Sequence, residues 1–413
     1  MKFANIVMTR QGRFTIGDDV QLLAIENLYR YMGINYDDVV RIPFNQLSTY
    51  DGEYVVLPIS FPLYAYSHDD KITQYSERII PVFLGMALLV DHLDDAEVEY
   101  LKKFQPIGCR DQYTMETLRK YNILCYLNGC MTATFPKRER EPEEQIGKIF
   151  CIDVTDNFAK EIPEEIRKEC IFSNHVYMSE ECPNGSEAKA RQVYDMYRNE
   201  AKMIITTRLH AALPCAAMGI PVILAKEQLS YRFAIIEKLM HVYSEDEFKN
   251  INWKPEAVEY EEFKRRILDN AAHRVMDAYN KYKDMFEISE FYEGDTSRTD
   301  YFEAISDAID YLNYNYAPED TFKYCLWAVT QTAKMVNKYI SMHFPNAELQ
   351  AVIDKTKRIE FCGVQVTDKS WIGEHKETLC LVCAPAAMPE AREYFKAINH
   401  KNYLLCWQDN LPT

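Results

Sequence analysis

The chain is short of positive charge. Its 413 residues carry 47 lysines and arginines against 63 aspartates and glutamates, a formal net charge of -16. That deficit disfavours a nucleic-acid surface or an anionic-membrane surface, because both need a basic field. Any anionic substrate must then be met by a local group of arginines. Long apolar runs are missing as well. None approaches the roughly 20 residues that span a bilayer, so no integral membrane segment is expected. The opening MKFANIVMTRQGRFTIGDD lacks the apolar core and small-residue cleavage site of a secretory signal, which makes a cytoplasmic location the expectation. Metal-site spacing is absent too. His68-Asp69-Asp70 and Asp91-His92 with Asp94-Asp95 offer ligand types without a ligand pattern and read as loop and cap residues, so no metal and no required cofactor is expected. Cys380 and Cys383 form a C-x-x-C in LCLVCAP. With no second pair at zinc spacing, they read as buried strand thiols. Most of the 12 cysteines, among them Cys125, Cys151, Cys215 and Cys325, lie in apolar segments and read as reduced core thiols.

What is present is an ordinary globular composition, 47% hydrophobic and 27% charged, on a chain long enough for two or three domains. The most informative stretch is 201–225, AKMIITTRLHAALPCAAMGIPVILA. An apolar strand runs into Thr206-Thr207. Arg208 and His210 follow, then a small-residue helix from Ala211 to Met218. Gly219 stops the helix, and Pro221 to Leu224 reads as the next strand. This is a βαβ unit. It puts Arg208 and His210 at the carboxyl end of a parallel strand, where open α/β sheets bind ligands, beside a helix amino-terminus that attracts anions. An arginine for an anion and an imidazole that titrates near neutrality suggest proton transfer on a phosphate or carboxylate substrate. The plain alternatives are a turn histidine and a surface ion pair for Arg208.

The segment Thr207-Arg208-Leu209-His210, followed by Ala-Met-Gly-Ile-Pro-Val, resembles the polysaccharide pyruvyl transferase family. Two further motifs agree and stand in the family's order: Gly17-Asp18-Asp19 before a helix, and Gly108-Cys109-Arg110-Asp111-Gln112-Tyr113-Thr114. The resemblance covers roughly residues 1–290. It implies a transferase that moves the enolpyruvyl group of phosphoenolpyruvate onto sugar hydroxyls of a cell-surface polysaccharide precursor, forming a pyruvate ketal. His210 would be the acid. Arg208 would clamp phosphate or carboxylate in a forked contact. Arg110 would enter the same cleft from the first domain, and Arg232, in LSYRFAIIEKL, would be a further substrate contact. Gly17 would let the backbone approach the ligand, and Asp18 would act as base or accept from the sugar, although acids in a helix's first turn are also ordinary capping residues. Asp111 would cap the next helix or hold Arg110. After His210 the family often has glycine; this chain has Ala211. The implied partners are phosphoenolpyruvate and a sugar or lipid-linked oligosaccharide, with a homo-oligomer left open. A nucleotide-sugar glycosyltransferase of the GT-B type and a non-catalytic binding protein on the same fold are the alternatives.

The chain as a whole reads as α/β. Strands are expected at Phe3 to Met8, Tyr54 to Ile59, Ile79 to Leu84, Pro106 to Cys109 and Ile123 to Leu127. Gln11 to Thr15 reads as a polar loop, and helices are expected from Gly17-Asp18, over Asp94 to Phe104 and over Tyr113 to Tyr121. This gives a first domain over 1–140. The charged break Lys137 to Glu144 reads as a linker to a second domain over 146–290, which carries the Arg-Leu-His motif. The family resemblance implies that the two are Rossmann-like domains facing a cleft, as in GT-B enzymes. Tyr260 to Phe286 reads as a long charged helix crossing one domain or returning to the first. A small Rossmann-like module over 318–413 is expected to follow. Asp354 sits where an acid would meet a ribose hydroxyl, but the turn from Trp327 to Thr332 has none of the glycines that a pyrophosphate needs, so a structural or protein-contact role is favoured there.

Overall fold

The computed structural model describes residues 1–63, 75–140, 147–230, 233, 236–289, 300–356 and 360–406; for 284–289 and 300–304 it describes the backbone alone. The chain divides into two compact units, Met1–Tyr279 and Asn280–Thr413. Among the described residues no helix is long and apolar enough to cross a membrane.

The first unit is mixed α/β and holds two parallel sheets. One has the strand order Val40–Pro43, Lys2–Val7, Val55–Ile59, Ile79–Phe83. All five residues of both Val55–Ile59 and Ile79–Phe83 are buried, as expected of strands covered on both faces. The other sheet runs Cys170–Ser173, Lys148–Ile152, Ala201–Thr206, Val222–Ala225, Val242–Tyr243, again parallel throughout. Its core gathers Ile149, Cys151, Phe158, Ile205, Ile223 and Phe248.

Among the described residues, three of the connections that tie the two halves of this unit together are the following. The first lies where the sequence reads as a polar loop. Arg13–Thr15 is a strand, paired antiparallel with Val176–Met178. The second is a helix pair. Glu26, 2% exposed on the Gly17–Tyr31 helix, receives Arg191 Nη1 at 3.1 Å and Nη2 at 2.5 Å from the Ser186–Glu200 helix. The third is the Glu261–Ser289 helix, which does return to the first half. Lys264 Nζ donates to the carbonyl of Ala217 at 2.8 Å, near the end of the Leu209–Ala217 helix. Asn270 Nδ2 then reaches Asn128 Oδ1 at 3.3 Å, and Tyr279 stacks on Phe3 with ring centroids 4.5 Å apart while its hydroxyl donates to Met1 O.

The second unit is a six-stranded sheet in the order Glu360–Phe361, Val364–Thr367, Glu348–Ile353, Lys323–Trp327, Leu379–Val382, Tyr403–Leu405. It is parallel except at the first pair. Ile309, Leu312, Val336 and Ile340, from the Asp300–Asn315 and Gln331–His343 helices, belong to one of its cores. Trp327, Ile353, Ala391 and Phe395 belong to another. Cys380 and Cys383 are buried free thiols, as their strand context suggests. At the glycine-free turn Ala328 adopts φ +97°, a left-handed conformation that alanine rarely takes. The Asp354 carboxylate accepts from Val329 N at 3.2 Å and from Thr356 N at 2.9 Å. A carboxylate thus occupies a backbone N–H of the turn that a dinucleotide site would turn toward phosphate.

Candidate active site

The first turn of the Gly17–Tyr31 helix gathers most of the residues singled out by the sequence. Its N-cap, Ile16, offers no side-chain cap, and the Ile16 N–H donates to the carbonyl of His175 at 3.0 Å. Asp18 and Asp19 find partners outside the helix. Asp18 Oδ2 lies 2.8 Å from Arg10 Nη2. Asp19 is wholly buried; its Oδ1 accepts from Ser186 Oγ at 2.6 Å and its Oδ2 lies 3.7 Å from Arg10. Burial pushes the Asp19 carboxyl up to about 6, against the opposing pull of Ser186 and Arg10.

Gly17 serves through its size. A Cβ built on it would lie 3.2 Å from His210 Nδ1, so the missing side chain lets the imidazole rest against the helix start. On the other side of the ring, His210 Nε2 lies 3.8 Å from Cys130 Sγ, and the hydroxyl of Tyr194 donates to the His210 carbonyl.

Gln21, one turn into the helix, links this group to Arg110. Its Nε2 donates to Gly17 O at 3.2 Å and faces Asp18 Oδ1 at 3.5 Å, while its Oε1 accepts from Arg110 Nη1 at 3.2 Å. Arg110 is wholly buried. Its backbone N–H donates to Met86 O at 2.8 Å, just beyond the Ile107–Cys109 strand. Asp111 is the N-cap of the Gln112–Arg119 helix and accepts from Thr114 N at 2.8 Å.

Arg208 has other partners. It occupies the N-cap position of the Leu209–Ala217 helix without a side-chain cap, its N–H donates to Thr206 Oγ1 at 3.0 Å, and its Nε lies 3.1 Å from Asp153 Oδ2. Its side chain, 43% exposed, lines a cavity of about 400 Å³ together with Asp153, Arg13, Asn174, Tyr177 and Glu181. Asp153, at φ +48° just past the Lys148–Ile152 strand, also accepts from His175 N at 3.0 Å. The buried His175 ring sits 3.0 Å from the Tyr197 hydroxyl, and burial holds it down at about 4. The structure thus brings Gly17, Asp18, Arg110 and His210 to one helix turn and engages Arg208 with Asp153. Arg232 lies outside the described residues.

Several residues of this arrangement are not singled out by the sequence, among them Arg10, Gln21, Cys130 and Asp153. Asp153 had a usable signal, since an acid directly after a parallel strand falls on the ligand-binding edge of the sheet. Gln21 sits in an apolar context and Cys130 in a mixed one, and nothing local marks either.

No curated protein matches the chain. Among solved structures it is similar to an uncharacterised protein from Klebsiella pneumoniae subsp. pneumoniae NTUH-K2044, at 16% identity over 57% of this chain and 88% of that one, with a TM-score of 0.36. It is also similar to a UDP-N-acetylglucosamine 2-epimerase, at 11% identity over 72% of this chain and 100% of that one, with a TM-score of 0.38. The sequence model of one family, polysaccharide pyruvyl transferase, matches residues 16–225, a span that holds the Gly17 turn, Arg110 and the Arg208–His210 segment. The chain therefore belongs to the polysaccharide pyruvyl transferase family and is a transferase.

Proposed function

We propose that the protein transfers the enolpyruvyl unit of phosphoenolpyruvate to two hydroxyls of a sugar in a cell-surface polysaccharide precursor, releasing phosphate and leaving a cyclic pyruvate ketal. The observation that carries this reading is the meeting of the family's separate motifs at one helix turn: Gly17 against His210 Nδ1, and Arg110 tied to the same turn through Gln21.

In this reading His210 protonates the methylene carbon of the donor, which becomes the methyl group. A sugar hydroxyl adds to the neighbouring carbon and gives up its proton, with Asp18 as the receiving base. The second hydroxyl then forms the other C–O bond as the C–O bond to phosphate breaks, and its proton leaves with the phosphate. Arg208 clamps phosphate or carboxylate at the edge of its cavity. Arg110, held by Gln21 Oε1, sets a fixed positive charge beside the same helix turn, and Arg232 adds a further anion contact. A preorganised cationic field of this kind lowers the barrier most where water is excluded. The two parallel sheets of the first unit would be the Rossmann-like domains of a GT-B-like arrangement. The acceptor would be a sugar or a lipid-linked oligosaccharide met in the cytoplasm, where phosphoenolpyruvate is supplied.

Donor choice tests this. Phosphoenolpyruvate at about 100 times its Kd should stabilise the protein by about 2.7 kcal/mol, and Arg208→Ala should abolish the shift while His210→Gln keeps it. With an acceptor present, phosphate release should accompany gain of a pyruvate ketal by the sugar. Stabilisation by a nucleotide sugar and none by phosphoenolpyruvate would overturn the proposal in favour of glycosyl transfer.

A further inference from the structure

We propose that Arg13 is a substrate-binding residue, the second of two arginines that hold the donor, so that Arg13 and Arg208 grip its two anionic ends. This rests on the reading of phosphoenolpyruvate as the donor. That molecule carries a phosphate and a carboxylate on one carbon, and a guanidinium fork pairs with one such group at a time. In a chain of net charge -16, a second cation has to be placed beside the first. Arg13 lines the cavity of about 400 Å³ that Arg208 lines, together with Asp153 and Glu181. Asp153 meets Arg208 at Nε, 3.1 Å away, and Glu181 Oε2 accepts from Met178 N at 2.7 Å. Each carboxylate of the cavity thus has a protein donor. The Arg13 side chain has no ion pair or hydrogen bond among the described residues, and it is exposed. Arg10, at the start of the same loop, is instead paired with Asp18. Arg13 is therefore the charge that this cavity leaves for a ligand.

The strand that carries Arg13 also leads to His210. In the ribbon of Arg13–Thr15 and Val176–Met178, Arg13 lies opposite Met178 and Thr15 opposite Val176, and both Met178 and Val176 line the cavity. Side chains two apart on a strand share a face and stand about 7 Å apart. Arg13 and Thr15 therefore stand on the cavity face of the ribbon. Thr15 Oγ1 accepts from Gly17 N at 3.4 Å, at the helix start where His210 Nδ1 rests. One ribbon face thus runs from the Arg208 cavity to the Gly17 turn. Two arginines in one cavity read charge at both ends of a ligand, whereas a ligand with one anion is held by one arginine alone. The selected class is a small molecule with two anionic groups, one phosphate and one carboxylate.

The test titrates full-length wild type, Arg13→Gln, Arg13→Lys, Arg13→Glu and Arg208→Ala by calorimetry with phosphoenolpyruvate, inorganic phosphate and pyruvate. Phosphate and pyruvate each carry one of the donor's two anions. An unchanged unfolding midpoint shows that a variant is folded. Arg13→Gln should weaken phosphoenolpyruvate binding by about tenfold or more, with Arg13→Lys between it and wild type and Arg13→Glu weaker still. That order follows the charge at position 13, which a merely structural role would not produce. Arg13→Gln should weaken one of the two single anions and Arg208→Ala the other. In steady-state assays Arg13→Gln should raise KM for phosphoenolpyruvate about tenfold and leave kcat within about twofold. Equal affinity of folded Arg13→Gln and wild type for phosphoenolpyruvate, or loss of the same single anion in Arg13→Gln and Arg208→Ala, would overturn the proposal. If the wild type does not bind phosphoenolpyruvate, the functional reading fails on its own, and the phosphate and pyruvate titrations still decide whether Arg13 holds an anion. A wild type that takes up none of the three overturns both.

Discussion

Asp19→Asn should make the protein more stable at pH 8 and leave it no more stable than wild type near pH 4. The carboxyl is raised from its ordinary 3.8 to about 6 by burial, so between those values the native state binds more protons than the unfolded chain. Stability then falls as pH rises through that window, by about 3 kcal/mol in total. His175 acts in the opposite sense. Its ring is held at about 4 instead of 6.5, the unfolded chain binds more protons between those values, and stability rises with pH by about 3 kcal/mol. The two effects nearly cancel between pH 4 and pH 6, so the wild-type curve hides both. Asparagine keeps an oxygen for Ser186 but turns an amide toward Arg10, which reduces the gain; a net stabilisation of about 1–3 kcal/mol at pH 8 is expected. Urea unfolding of both proteins at intervals from pH 4 to pH 8 gives the difference directly, and the His175 contribution drops out of it. A difference that stays constant with pH, or a variant less stable at pH 8, would refute the assignment of a buried, costly charge to Asp19.

Gly17→Ala should cost activity without costing stability. Alanine favours the helix by up to about 1 kcal/mol, while its methyl crowds His210 Nδ1 at 3.2 Å, so kcat should fall with an unchanged unfolding midpoint. His210→Gln should lower kcat by roughly 10²–10⁴-fold with binding of phosphoenolpyruvate retained, read by single-turnover kinetics and thermal shift. Phe150, 1% exposed and packed edge-on against Tyr197 with centroids 5.1 Å apart, should cost about 3–5 kcal/mol as Phe150→Ala in urea unfolding.

The sequence reads well where structure is decided locally. The strand, helix and strand of 201–225 follow from an apolar run, a small-residue period and Gly219, and they appear as Ala201–Thr206, Leu209–Ala217 and Val222–Ala225. The Asp94 start of the Asp95–Lys103 helix is likewise visible in its Asp-x-x-Glu spacing and is a full capping box in the structure. What depends on distant partners does not read. Arg13–Thr15 is three residues in a polar stretch, and only its pairing with Val176–Met178 makes it a strand. The burial of Asp19 depends on Ser186, 167 residues away, and Arg208 looks like a free anion clamp until Asp153 is beside it. Ala328 at φ +97° shows the same limit, since no local rule places alanine there.

The Glu261–Ser289 helix has a consequence for how the chain matures on the ribosome. Phe3, on a strand of the first sheet, has a ring partner in Tyr279, and the hydrogen bond from Tyr279 to Met1 spans 278 positions. Both parallel sheets can be synthesised and paired well before that helix emerges. During that interval Phe3 lacks this stacking partner, and the carbonyl of Ala217 has no lysine to receive. Loops of this length close late, because their entropy must be met before the contact returns anything. The last step in assembling the first unit is therefore a clasp made by its newest residues on its oldest. A chain that has emerged through Tyr243 but not yet through the Glu261–Ser289 helix would have every strand of both parallel sheets and all the family's motifs, on a scaffold not yet locked.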